Sequence, residues 1–372
     1  MTSRYTLLSP CPNELDLIGG QGPLPSDAHV YSRETAPTST RLETLLSTIL
    51  HASAVTYSSG LAALHGAYVF LNPRVISIGE GYHGSHGVLA LQSKLTGAKI
   101  VPLECDVQEL GEGDLIHLET PVNPTGEAFQ IRKYADKAHS KGAYLLVDST
   151  FGPPGLQDPF EHGADLIMHS GTKYIGGHSD MLCGIIATQN GDWATALRDE
   201  RIYLGSVLGS LEGWLGVRSL RTLELRVQRQ SQNAGLLVDW LVSLMEQQEE
   251  EGNQDVQVVK RCVLSVHHAS LQKPDMPWLK QQMPNGFGPV FALRMKDEEF
   301  ARRIPSKVRL FHHATSLGGV ESLIEWRAMS DKTVDRRLLR LSVGIEAFED
   351  LKQDLLAAFT ATCEEMMKAT QM

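Results

Sequence analysis

The chain has 372 residues, which is enough for two or three domains, and its 21% charged and 42% hydrophobic residues are typical of a globular protein. Its formal net charge of −10 argues against nucleic acid or an anionic membrane as a partner, because both attract basic surfaces. The five cysteines are widely spaced without a CxxC pattern, which argues against disulfide and zinc frameworks and favours a reducing compartment.

The first predicted segment, residues 1–30, is rich in Pro, Gly and Ser without helical periodicity, which predicts an extended arm. Residues 1–12 lack the layout of a signal peptide, and no apolar run reaches transmembrane length, so we expect a cytoplasmic protein.

From there to about residue 180, short apolar segments alternate with segments whose apolar residues recur every three or four positions. This alternation predicts an α/β fold with a mainly parallel sheet and helices on both faces. The predicted strands are residues 75–78, 99–103, 115–118, 144–147 and 166–168, and the predicted helices are residues 61–71, 85–96 and 130–141.

The second half predicts a different arrangement. A long helical stretch covers residues 210–245, and the acidic residues that follow it indicate a solvated connection over 249–253. Further strands are predicted at residues 256–266, 291–295 and 339–343, with amphipathic helices around them. We therefore expect an arm (1–30), a large domain (31–232) and a smaller α+β domain (233–372).

Lys173 stands in the loop His-Ser-Gly-Thr-Lys-Tyr-Ile-Gly-Gly-His-Ser-Asp, residues 169–180, directly after a predicted strand. Taken alone, it would more simply be a solvated surface lysine. An amine among hydroxyl groups and glycines also suits pyridoxal 5'-phosphate (PLP), whose aldehyde needs an amine and whose phosphate needs hydroxyl and N–H donors. Other motifs favour this second interpretation.

Asp148 ends the strand 144–147, 25 residues before Lys173. A strand-end aspartate commonly caps the next turn, but a carboxylate here would also keep a pyridine nitrogen protonated. Ser59 and Gly60 open a helix-forming run, where free N–H groups and the helix dipole favour a phosphate. Alone, that pattern would indicate only a helix cap.

Together these motifs resemble the Cys/Met-metabolism family of PLP enzymes, which includes cystathionine γ-synthase, cystathionine γ- and β-lyases, methionine γ-lyase and O-acetylhomoserine sulfhydrylase. The resemblance spans about residues 31–355. It implies a fold-type I, aspartate-aminotransferase-like transferase with a mostly parallel large-domain sheet and a smaller C-terminal domain. The matching segments are residues 31–33, 58–60, 81–82, 119–124, 147–151, 169–180, 316–323 and 340–346.

The resemblance also implies roles for single residues. Lys173 would hold PLP covalently and move protons between substrate carbons, while Asp148 would pair with the pyridine nitrogen. Tyr82 would stack on the ring and serve as acid or base, and Asn123 would contact the ring hydroxyl and the substrate. The phosphate would be held by Ser59, Gly60, Leu61, Ser170 and Thr172.

Arg340 would bind the substrate α-carboxylate as a bidentate fork, with Ser316 and Thr315 beside it. Its simpler role would be a salt bridge on a strand. Tyr31 and Arg33 would complete the phosphate site of a neighbouring subunit, which implies a shared active site and a homotetramer built as a dimer of dimers. No metal is expected, since the histidine pairs 83/86, 267/268 and 312/313 lie in segments with other plausible roles.

The sequence departs from the family pattern at several positions, where Ala36, Leu61, His83 and Thr315 replace the usual residues. After Leu323 the chain runs Ile-Glu-Trp-Arg, residues 324–327, where relatives commonly have a proline. These departures affect the expected substrate rather than the cofactor. We expect γ-replacement or γ-elimination on an activated homoserine or cystathionine, as in trans-sulfuration. The alternatives are a cystathionine or cysteine-S-conjugate β-lyase, a γ-substitution forming C–C or C–S bonds in a secondary pathway, and a catalytically silent PLP-binding relative.

Overall fold

The computed structural model describes residue 29 and residues 31–248 and 253–370. The expected N-terminal arm therefore lies outside the described residues, except for residue 29. Residues 249–252 of the expected acidic connection also lie outside them. Within the described part, no helix is long and apolar enough to cross a membrane.

Helices and strands alternate along the first half of the chain, as the sequence predicts. The helices are α1 (Pro37–Ile49), α2 (Gly60–Leu71), α3 (His83–Thr96), α4 (Ile131–His139), α5 (Gly191–Leu204), α6 (Ser210–Leu220), α7 (Leu223–Glu246), α8 (Gln254–Cys262), α9 (Met276–Gln282), α10 (Glu298–Arg303) and α11 (Phe348–Thr370). The strands are β1 (Ser53–Tyr57), β2 (Val75–Ile78), β3 (Lys99–Pro102), β4 (Leu115–Glu119), β5 (Tyr144–Asp148), β6 (Leu166–Ser170), β7 (Gly184–Thr188), β8 (Val263–His267), β9 (Val290–Met295), β10 (His312–His313), β11 (Leu323–Trp326) and β12 (Leu338–Ser342).

The first sheet has seven strands in the order β1-β7-β6-β5-β4-β2-β3. Neighbouring strands from β3 to β6 run parallel, whereas β7 is antiparallel to both β1 and β6. The expected α/β fold with a mainly parallel sheet is confirmed. The sequence analysis missed β1 and β7, two short strands that extend the sheet beyond β6.

Strand register brings several strand ends to one edge of this sheet. Glu119 lies opposite Asp148 at the ends of β4 and β5, and β6 runs parallel to β5 and ends at Ser170. Gly184 of β7 pairs with both Tyr57 of β1 and Ser170 of β6. A Cβ atom on Gly184 would collide with the carbonyl oxygen of Ser59, so only glycine lets the chain pass here into α2. The edge therefore gathers the segments that the motifs come from.

The second sheet has the order β10-β11-β12-β9-β8 and belongs to a separate hydrophobic core. That core draws on the second half of α7, on α8 and on α11, beginning in the chain at Ala234. The boundary at residues 232/233 stays a prediction; the start of this core near that position supports it, although α7 itself runs across it.

One sequence prediction in this region is wrong. Residues 256–266 form no continuous strand, because α8 ends at Cys262 and β8 begins at Val263. The β-branched valines favour a strand, but Val256, Val259 and Cys262 have helical spacing and are fully buried, so packing overrides propensity. The helical stretch predicted for residues 210–245 is present as two helices, α6 and α7, separated at Arg221 and Thr222.

Helix α7 also connects the two sheets through polar side chains. Arg226 donates a hydrogen bond from Nη1 to the carbonyl of Tyr174 at 2.7 Å, in the loop that carries Lys173. Asn233 donates from Nδ2 to the carbonyls of Gly344 at 3.1 Å and Glu346 at 2.8 Å. One helix therefore holds both the lysine loop and a loop of the second sheet.

A buried ion pair fastens the start of the described chain to the first sheet. Arg201 of α5 contacts Glu43 of α1 at 2.6 Å (Nη1–Oε1), and their side chains are only 5% and 13% exposed. The same Glu43 oxygen accepts hydrogen bonds from the backbone N–H and hydroxyl of Thr56, each at 2.9 Å. Arg201 Nη2 also donates to the carbonyl of Glu34 at 3.4 Å. The cluster thus positions the segment that carries Tyr31 and Arg33.

We expect Glu43→Ala to lower the free energy of unfolding by about 3–5 kcal/mol, because it leaves the buried Arg201 without its carboxylate. Glu109→Ala is the control, since the Lys99–Glu109 pair is 63% and 37% exposed and its loss should cost under about 1 kcal/mol. Urea unfolding followed by circular dichroism measures both. Equal shifts in the two variants would contradict this account of the cluster.

Candidate active site

A cavity of about 520 Å³ lies between the strand ends of the first sheet and the second sheet. All the site residues predicted from the sequence line it, except Tyr31 and Arg33. They are Ser59, Gly60, Leu61, Tyr82, Asn123, Asp148, Ser170, Thr172, Lys173, Thr315, Ser316 and Arg340.

Lys173 follows β6 by three residues, and its amine reaches a loop of the second sheet. Nζ donates a hydrogen bond to Ser316 Oγ at 3.1 Å. Burial lowers the pKa of Lys173, the positive charge of Arg340 lowers it further, and Glu325 opposes both. The amine is therefore more easily deprotonated than that of a solvated lysine, which suits both a nucleophile and a proton carrier.

The start of α2 forms an anion-binding end of the cavity. Ser59 caps the helix, and its side chain accepts a hydrogen bond from the N–H of Ala62 at 3.1 Å. The N–H groups of Gly60 and Leu61 have no partner within the helix, because they belong to its first turn. A Cβ atom on Gly60 would lie 3.0 Å from Ser170 Oγ, so glycine keeps open a space edged by hydroxyl groups. This combination fits a phosphate.

Asp148 is 6% exposed at the end of β5. Its Oδ1 accepts a hydrogen bond from the N–H of Thr150 at 2.9 Å. Burial raises the pKa of the Asp148 carboxyl, while the hydrogen bonds from Thr150 oppose the shift. A cationic partner in the cavity would favour the ionised carboxylate, and a protonated pyridine nitrogen is such a partner.

Glu119 is the neighbour of Asp148 on β4, and the sequence analysis gave it no role of its own. Its Oε2 accepts the N–H of Tyr82 at 2.8 Å, and its Oε1 accepts the N–H of Asn123 at 2.7 Å. Burial raises the pKa of Glu119, and the nearby Asp148 raises it further. Glu119 thus positions two predicted ring contacts. Its place at a strand end beside Asp148 was the signal that could have identified it.

Arg340 lies on β12 and is 3% exposed. Nη1 donates to Asn123 Oδ1 at 3.1 Å, and Nη2 donates to the carbonyls of Ser316, at 3.0 Å, and Thr315. Nη2 also contacts Glu325 Oε2 at 2.7 Å. Arg340 therefore forms a salt bridge between neighbouring strands and also lines the cavity. Burial lowers the pKa of Arg340 to about 10, and Glu325 opposes that shift.

Tyr31 and Arg33 are the predicted residues that this chain does not bring to its own cavity. Both are exposed, and the Arg33 guanidinium lies 4.7 Å from the centre of the Tyr31 ring. Arg33 Nη1 also donates to the Tyr31 hydroxyl at 3.4 Å. Their proposed contact with a neighbouring subunit stays a prediction.

The donors and charges of the cavity fit PLP, which supplies a phosphate, a protonatable ring nitrogen and an aldehyde. The α2 terminus, Asp148 and Lys173 are the respective partners. Among the described residues, no group of three or more His, Cys, Asp or Glu side chains could hold a metal ion.

Comparison with known proteins tests the assignment to PLP enzymes independently. A family model for Cys/Met metabolism PLP-dependent enzymes matches residues 19–360. An L-methionine gamma-lyase from Brevibacterium sandarakinum is 33% identical over 352 residues, covering 90% of this chain and 84% of the relative. A cystathionine beta-lyase from Lactococcus lactis subsp. cremoris is 32% identical over 350 residues, covering 88% and 87%.

A solved structure gives the same result for the fold. The crystal structure of apo CalE6, a methionine gamma lyase from Micromonospora echinospora, matches with a TM-score of 0.78 and 31% identity, covering 90% of this chain and 89% of that one. The fold-type I architecture, the dependence on PLP and the enzymatic nature expected from the sequence are confirmed. The chain therefore belongs to the Cys/Met-metabolism family of PLP-dependent enzymes and carries out chemistry of the trans-sulfuration type.

Proposed function

We propose that this enzyme replaces or eliminates the γ-substituent of an activated homoserine or of cystathionine. The observation that supports it most directly is the cavity in which Lys173 Nζ contacts Ser316 while Arg340 and Asp148 line the same space. A β-lyase acting on cystathionine is the second candidate, and it is favoured by the 32% identity to the Lactococcus lactis cystathionine beta-lyase.

Each side chain has a distinct task in this proposal. Bound PLP supplies the electron sink for the substrate carbon next to the amino group. Arg340 binds the α-carboxylate and, with Asn123, orients the substrate. Lys173 Nζ removes a proton from the α-carbon and afterwards one from the β-carbon, since its flexible four-carbon stem lets one amine reach both. Tyr82, held at its backbone by Glu119, is the second acid or base.

We also propose the assembly that the sequence indicated. The exposed Tyr31 and Arg33 would complete the phosphate site of a second subunit, which makes a homodimer the smallest active unit and a homotetramer the expected form. A cytoplasmic location is part of the same proposal.

Reduction of the purified protein with borohydride should fix PLP on Lys173, as a peptide map would show. Lys173→Ala should abolish turnover without loss of fold, because Nζ contacts Ser316 at the cavity rather than a packed core. Lys141→Ala is the control, since Lys141 binds Gln108 on the exposed surface. A label on another lysine, or an active Lys173→Ala protein, would refute the assignment.

Arg33→Ala should weaken PLP retention about ten- to a hundred-fold, because a charge-assisted phosphate contact contributes roughly 1.5–3 kcal/mol. The absorbance of bound PLP after dialysis measures retention, and light scattering measures the assembly. Arg41→Ala, on the exposed surface of α1, is the matched control. An active monomer, or equal retention in both variants, would contradict the shared site.

Thr315 is exposed at the cavity and carries no charge to hold a distal ammonium such as that of cystathionine. Thr315→Glu should raise kcat/KM for cystathionine by about tenfold, because a charged contact contributes about 1–3 kcal/mol. Thr315→Gln controls for size without charge. If Thr315→Glu lowers this activity while the wild type already handles cystathionine efficiently, residue 315 does not select the substrate.

A further inference from the structure

Arg327 is a second buried arginine at the cavity. It follows β11, its side chain is 4% exposed, and it lines the cavity together with Arg340 and Lys173. Nη1 donates to both carboxylate oxygens of Glu325, at 3.1 Å and 3.0 Å. Its Nε is buried and has no hydrogen-bond partner among the described residues. Nη2 also donates no hydrogen bond among the described residues, so this guanidinium has unused binding capacity.

The hydrogen-bond donors of Arg327 are not all satisfied within the described residues. Glu325 is the close carboxylate, and it is shared, because its Oε2 also contacts Arg340 Nη2 at 2.7 Å. Asp331 Oδ2 lies 3.9 Å from Arg327 Nη2, which is beyond hydrogen-bond distance. Arg327 and Arg340 therefore share the hydrogen bonds of one buried carboxylate, and Asp331 compensates charge without a hydrogen bond to Arg327. An anionic group in the cavity would accept the hydrogen bonds that Arg327 Nη2 leaves unmade.

The two arginines come from different elements and meet at Glu325, because Arg340 lies on β12 and Arg327 follows β11. Glu325 lies opposite Arg340 in the β11–β12 register, and Arg327 comes two residues after Glu325. Arg327 begins a 3-10 turn directly after β11, and the contacts of both guanidinium groups with the Glu325 carboxylate place them on the side of Glu325. Because the proposed function assigns Arg340 to the α-carboxylate, Arg327 is available for another part of the substrate.

We propose that Arg327 binds a second anionic group at the end of the substrate side chain. This inference rests on the proposed function and specifies its substrate class: an α-amino acid whose γ-substituent carries a carboxylate or phosphate. The γ-substituent that carries the anion would be either the leaving group of the substrate or the thiol that replaces it. Arg327 is thus a specificity-determining residue, and its pairing with Glu325 keeps the guanidinium in place.

Binding of inert amino acids tests this directly. By calorimetry, the PLP-loaded wild type should bind L-2-aminoadipate, which has a distal carboxylate, at least tenfold more tightly than L-norleucine, which has none. Arg327→Gln should remove most of that preference, since a hydrogen-bonded charge contact corresponds to about ten- to a hundred-fold in affinity. Arg327→Lys should retain part of it. Arg336→Gln, which alters an exposed arginine paired with Glu298, should leave it unchanged.

Turnover distinguishes the two sources of the anion. If the leaving group carries it, Arg327→Gln should lower kcat/KM about ten- to a hundred-fold for O-succinylhomoserine and under about threefold for O-acetylhomoserine, with sulfide as nucleophile. If the thiol carries it, the selective loss should appear with 3-mercaptopropionate rather than 2-mercaptoethanol, each offered with O-acetylhomoserine. Either selective loss supports the proposal.

Equal losses for charged and neutral partners would overturn the inference and leave Arg327 a structural ion pair. If Arg327→Gln does not fold, the ratio of the wild-type affinities for L-2-aminoadipate and L-norleucine still tests the proposal. A wild type that binds L-norleucine as tightly as L-2-aminoadipate refutes it. Failure of the proposed function is a separate result: the wild type would turn over none of these homoserine substrates, whatever its binding preference.

Discussion

The site depends on the parallel register of the first sheet. Because β4, β5 and β6 run in the same direction side by side, their carboxyl ends place Glu119, Asp148 and Ser170 along one edge. Lys173 reaches the cavity because the chain leaves β6 only three residues earlier, and the start of α2 reaches it because Gly184 lets Ser59 approach. A change in register of one residue would turn these side chains to the opposite face.

The second sheet presents positive charge across the cavity from this edge, which carries carboxyl groups. The strand ends of the first sheet carry the carboxyl groups of Asp148 and Glu119, whereas the face of the second sheet carries Arg340 and Arg327. A molecule in the cavity therefore meets acidic groups on one side and guanidinium groups on the other. This polarity suits a cationic ring nitrogen on the first wall and an anionic substrate on the second. Helix α7 holds the two walls together, since its side chains bind loops of both.

Much of this arrangement could be predicted from local sequence. The alternation of apolar strands and amphipathic helices indicated the first sheet, and the strand-end position of Asp148 and the loop around Lys173 indicated the cofactor site. Residues 256–266 were predicted incorrectly because valine-rich segments suit either a strand or the buried face of a helix, and only packing against α7 and α11 decides. The pairing of Glu325 with Arg340 depends on the β11–β12 register, which no local pattern specifies.

The two walls of the cavity also belong to different segments of the chain. Residues that fit the cofactor come from residues 59–173, whereas Thr315, Arg327, Ser330 and Arg340 come from the second sheet and its loops. Substitutions in the loop at residues 327–330 therefore change the wall opposite the cofactor-fitting residues and leave the cofactor wall intact. With this division, related enzymes can come to accept different metabolites through changes in one segment of the chain. The cofactor-fitting residues in the other segment stay the same.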